Sequence, residues 1–102
     1  MVKSLETPLL GLGASIPETV YLLFHPASEK YGCFCHNGIH GLASFSTEGG
    51  ACRFGEWIDL SGMAIREVSF DEAREVAKSR PLPVVSLMLL DRLEEPVIHF
   101  VR

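Results

Sequence analysis

The sequence predicts a single small α+β domain, with a mixed or antiparallel sheet of about five to six strands and two helices on one face. Three observations carry this. Asn37-Gly38, the pair that best tolerates the positive φ angles of a two-residue turn, lies between two strand-like runs and marks a hairpin. Two amphipathic segments, after Phe45 and after Val68, each open with a hydroxyl cap and an acid, the signature of a helix start. Residues 20–25 (VYLLFH) and 84–90 (VVSLMLL) are apolar on both faces, as central strands are. At 102 residues the chain has room for one core and not two. Its domain is placed at residues 19–102, behind an arm of residues 1–18.

In the arm, Leu9, Leu10, Leu12 and Ile16 are apolar, but Pro8, Gly11, Gly13 and Pro17 prevent a regular element. So leucine-rich an arm is expected to cover part of the core or to dock on a partner or second subunit. Pro26 ends the first strand, and the polar residues 27–31 lead to the hairpin. There the turn sets His36 opposite Ile39, Cys35 opposite His40, Phe34 opposite Gly41 and Cys33 opposite Leu42. Alternation then puts Phe34, His36, Ile39, Ala43 and Phe45 on a core face, and Cys33, Cys35, His40, Leu42 and Ser44 on the other.

Ser46-Thr47-Glu48-Gly49-Gly50 caps the first helix, whose inward residues are Ala51, Phe54 and Ile58, with Trp57 beside them. Its glycines leave backbone N–H groups open to an anion, although a plain helix cap accounts for them. After a turn at 59–63, residues 64–68 (AIREV) form a short strand whose charges suit a sheet edge. Ser69-Phe70-Asp71-Glu72 is a capping box, opening a helix to about Ser79 that buries Phe70, Ala73, Val76 and Ala77. Pro81 and Pro83 stop it. Leucine and methionine on both faces of residues 84–90 require that something cover both. A polar turn at 91–96 returns the chain as a last antiparallel strand, 97–101.

Thirteen acids against nine Lys and Arg give a net charge of −4, which disfavours nucleic acid or an anionic membrane surface as partner. No apolar run reaches the roughly 18 residues of a membrane span, and Glu6 and Pro8 interrupt any signal-peptide pattern. Three cysteines are an odd number and too few for a disulfide scaffold. Cys33 and Cys35, two apart on one strand, would have α-carbons about 6.5–7 Å apart, at the limit of disulfide geometry. Reduced thiols and a cytoplasmic location are the reading these features support.

Residues 41–101 resemble the amino-terminal domain of the SseB family. The likeness rests on a strand ending in Phe45-Ser46-Thr47-Glu48, a helix of alanine and phenylalanine, and Glu67-Val68-Ser69-Phe70-Asp71-Glu72-Ala73 opening a second helix. It implies a small α+β module with an interaction or accessory role, and transfers no site residue. The segment Cys33-Phe34-Cys35-His36 is outside that pattern.

Cys33, Cys35, His36 and His40 make a C-x-C-H-x3-H constellation. Thiolate and imidazole suit zinc or iron, and haem is a further option; Cys33, Cys35 and His40 on one face would leave a position for His25, Cys52 or a second subunit. Against a metal site, C-x-C is tighter than the usual spacer, no second cysteine pair exists, and His36 faces the other way. Ordinary structural thiols and a redox-responsive pair are the other readings. A nucleophile built from Cys33 or Cys35 with His40 lacks an orienting third group and an oxyanion hole. The leading expectation is therefore a non-enzymatic interaction module, a homodimer or a binder of another protein, with the sheet or the arm as contact surface. A small metal-, haem- or thiol-redox protein is the alternative.

Overall fold

The computed structural model describes residues 17–57 and 62–102. The elements run β1 (Thr19–His25), β2 (Lys30–Tyr31), β3 (Cys33–His36), β4 (Ile39–Phe45), α1 (Glu48–Trp57), β5 (Ala64–Ser69), α2 (Phe70–Ser79), β6 (Val84–Leu89) and β7 (Val97–Phe100). This is the α+β class with two helices and a mixed sheet that the sequence predicts. The expected arm at residues 1–18 and the inward Ile58 lie, apart from Pro17 and Glu18, outside the described residues.

Across the sheet, β5 pairs with β1, β1 with β4, β4 with β6 and β6 with β7; all these contacts are antiparallel except β4–β6. The edge position expected for residues 64–68 and the central positions of β1 and β6 are observed. Asn37 (φ 50°) and Gly38 (φ 82°) both have positive φ, and the β3–β4 register pairs Cys35 with His40 and His36 with Ile39, as the turn chemistry dictates.

A seventh strand, the two-residue β2, is too short and polar to show periodicity. It exists because β1 and β4 pair directly at Tyr21–Phe45 and Leu22–Ser44 and then part. Into the gap comes the chain 30–36. β2 pairs with β1 at Phe24–Tyr31, while β3 pairs with β4. Between them Gly32 gives its N–H to the Leu23 carbonyl (2.9 Å) and accepts from the Ala43 N–H (3.0 Å), tying the two strands together at the point of divergence. A side chain there would crowd Leu23, whose Cβ lies 3.2 Å from where an added Cβ would stand.

The helices do not share a face. Ala73 and Ala77 of α2 pack with Val20, Leu22, Leu42, Val68, Leu87 and Leu89. Ala51 and Phe54 of α1 pack with Leu23, Ala43, Phe45, Met88 and Ile98, the alternate residues of the same strands. The expectation of two helices on one face is therefore corrected, for a topological reason. The pairings make β4, β5 and β6 mutually parallel. From β4 the chain crosses over β1 through α1 to reach β5, and from β5 it returns the opposite way through α2 to β6. Two crossovers running in opposite directions with the same hand must pass over opposite faces. This arrangement also meets the demand of the doubly apolar β6 for cover on both sides.

Both helix starts use their caps. Thr47 Oγ1 accepts from the Gly50 N–H (3.0 Å) and Ser69 Oγ from the Glu72 N–H (3.0 Å). The reciprocal half of the capping box is replaced, since the Glu72 carboxylate lies 3.8 Å from Arg66. No helix among the described residues is long and apolar enough to cross a membrane.

Candidate functional site

The hairpin places Cys33, Cys35 and His40 on the α2 face and turns His36 to the other, where its Nε2 lies 3.3 Å from Asn37 Nδ2. Cys33, Cys35 and Cys52 are all free and exposed. Among the described residues no group of three or more His, Cys, Asp or Glu side chains is placed to hold a metal ion. Although Cys33 is exposed as a residue, its sulfur is partly shielded; this desolvation pushes the thiol pKa up, and the positive charge of Arg80 offsets part of the rise. An activated nucleophile has the opposite shift.

What surrounds Cys33 is a basic and aromatic cluster that no stretch of sequence announces. Phe24 and Tyr31 are cross-strand neighbours with ring centroids 4.9 Å apart. The Arg66 guanidinium lies 5.9 Å from the Tyr31 ring centre and 5.6 Å from that of Phe24, and it donates to the Tyr31 hydroxyl. Arg80, the C-cap of α2, sets its guanidinium 5.5 Å from the same Tyr31 ring. Its Nε is buried without an acceptor. Such an orphan donor costs about 1–3 kcal/mol, part of which the ring face offsets. Nearby, Arg102 donates to the carbonyls of Val84 (2.8 Å), Lys78 and Arg80, closing off the negative end of α2.

The second notable region is at the carboxyl ends of the adjacent parallel strands β4 and β6, where the chain leaves in opposite directions. Open sheets place crevices at such switch points. A hollow of about 230 Å³ lies there between α1 and the β6–β7 turn, lined by Phe45, Phe54, Trp57, Leu90 and Leu93, with Arg53 and Asp91 supplying charge. Phe54 is its centre, with ring centroids 5.3 Å from Phe45, 5.8 Å from Trp57 and 5.9 Å from Phe34. Trp57 is 68% exposed. Asp91 Oδ1 accepts from the Ser46 N–H (2.9 Å), which fixes the β6–β7 turn against the entrance to α1. Beyond Asp91 is a second hollow of about 460 Å³, with Leu89 and Val97 in its walls and Pro17 at its rim.

No protein-family model, curated protein or solved structure matches this chain. Function must therefore be argued from these two regions. Sequence reasoning singled out Trp57 only as a residue beside the α1 stripe, and it missed Tyr31, Arg66 and Arg80 because they come from three separate elements.

Proposed function

We propose that this chain is a non-enzymatic interaction module that pairs with a second copy of itself through the α1 hollow. The observation that carries the reading is Trp57, a large indole left in water at the mouth of an aromatic hollow. Tryptophan is one of the residue types enriched among interface anchors. The hollow is smaller than the roughly 300–1,000 Å³ of most small-molecule sites and better suits an inserted side chain.

A second copy is favoured by the charges. A two-fold interface must be self-complementary. Arg53 and Asp91 lie at the same hollow, and neither has an ion-pair partner among the described residues, so the Arg53 of each copy can meet the partner's Asp91. The accessory role implied by the SseB-like pattern agrees with this reading.

Trp57 is the chain's only tryptophan, so its fluorescence reports on the proposed contact directly. Raising the concentration should shift its emission to the blue while sedimentation shows the mass doubling. Trp57→Lys should hold the chain monomeric without unfolding it. A monomer with unchanged emission up to millimolar concentration, or a dimer indifferent to Trp57→Lys, would refute the proposal.

A further inference from the structure

We propose that Arg66, Arg80 and the Tyr31 hydroxyl form a binding site for a small oxyanion, a phosphate or carboxylate group. The site is on the α2 face, across the sheet from the α1 hollow, and does not depend on self-association.

Four observations converge. Two guanidinium groups lie against one aromatic ring, 5.9 and 5.5 Å from its centre, so two positive charges are gathered around Tyr31. Their compensation is thin: Glu72 is 3.8 Å from Arg66 and its side chain is half exposed, while Arg80 has no carboxylate partner among the described residues. Arg80 Nε is the one buried side-chain nitrogen or oxygen among the described residues that has no hydrogen-bond partner. Finally, Arg66 donates to the Tyr31 oxygen, which leaves the phenolic hydrogen to be donated elsewhere.

An oxyanion answers all four. It neutralises the pair, takes the fork of N–H donors that Arg80 leaves unused, and accepts the Tyr31 hydrogen. The usual objection to an anion at the C-terminal end of a helix is met by Arg102, whose guanidinium satisfies the Lys78 and Arg80 carbonyls. Cys33 contributes no negative charge, because its shielded sulfur favours the neutral thiol. For Arg80 to chelate the ligand, its guanidinium turns away from the ring, bringing Nε out of its buried position.

The test is an NMR titration of the arginine Nε–Hε signals at constant ionic strength, with inorganic phosphate in one series and acetate in another. Saturable shifts of both Arg66 and Arg80 are expected. Arg80→Gln and Arg66→Gln should each weaken binding by about tenfold or more, as loss of a charged hydrogen bond does, and Tyr31→Phe by a smaller factor. Saturation by phosphate, acetate or both supports the site and identifies the group it takes. Shifts that stay linear in both series overturn it, as does binding that survives Arg80→Gln. Should Arg80→Gln fail to fold, Arg66→Gln decides in the same way, since its side chain is 42% exposed and is not needed for the core.

Discussion

Gly41→Ala adds one methyl group at the tightest contact between β4 and β6. The new Cβ would stand 2.5 Å from Ser86 Oγ, 2.6 Å from Met88 Cγ and 3.2 Å from the Ser86 carbonyl oxygen. Nothing there can yield without loss. Met88 is fully buried, and Ser86, also fully buried, uses its hydroxyl on the His40 carbonyl (3.1 Å). Overpacking of a core costs about 1–3 kcal/mol, and displacing the serine hydroxyl loses a further ~1 kcal/mol hydrogen bond. A loss of about 3 kcal/mol would lower the urea midpoint by about 2 M, taking a slope near 1.5 kcal/mol/M. Ser86→Ala alone should cost about 1 kcal/mol, for the hydrogen bond alone. Combined, the two changes should cost less than their sum by at least about 1 kcal/mol, because the alanine at 86 removes the nearest clash. Equilibrium urea unfolding of the four proteins measures the cycle. A Gly41→Ala protein within about 0.5 kcal/mol of the parent, or strict additivity, would refute the close packing described for this strand pair.

Three further outcomes follow from the hydrogen bonds and charges. Ser69→Ala should destabilise the fold by about 1 kcal/mol through loss of the α2 cap, with Ser69→Thr restoring most of it in thermal melts. Arg102→Ala should cost about 1–2 kcal/mol, and Arg102→Lys should recover only part, since a single ammonium cannot span three carbonyls; urea midpoints of the two variants test the order. His99, packed edge-on against Phe70 at 5.0 Å, has its pKa lowered by burial and then by the charge of Arg74. The unfolded chain therefore binds this proton more readily, so the contribution of His99 is full above about pH 6.5 and is lost as pH falls through the lower folded value. Folding free energies of the parent and His99→Gln between pH 5 and 8 should diverge on the acid side. Parallel profiles would count against this assignment.

Local chemistry was the most legible part of the sequence. Asn37-Gly38 dictates the turn and so the whole β3–β4 register, and Thr47 and Ser69 mark their helix starts because the capping hydroxyl is within three residues of the N–H it serves. The side of the sheet on which a helix lies is a different kind of fact. Periodicity identifies Ala51 and Phe54, or Ala73 and Ala77, as inward, but inward has the same pattern on either face. The distinction was present only indirectly, in the doubly apolar run 84–90. The cluster of Tyr31, Arg66 and Arg80 was not legible at all, because each is an ordinary surface residue in its own segment: Tyr31 and Arg66 meet through pairing of β1 with both β2 and β5, and Arg80 arrives at the end of α2. Conversely, Cys33, Cys35 and His40 drew notice because they are close in sequence, while the surroundings of Cys33 raise its thiol pKa.

The parting of β1 and β4 divides the ladder into two blocks, β5–β1–β2 and β3–β4–β6–β7, stitched by two residue pairs and the backbone of Gly32. With so few backbone bonds at the seam, the two blocks are joined chiefly by the side chains of the two cores. Amide protons in the two blocks should then exchange as separate cooperative groups. Such a seam would let the β5–β1–β2 block, which carries both Tyr31 and Arg66, answer an event at their cluster while the aromatic packing around Phe54 keeps its shape.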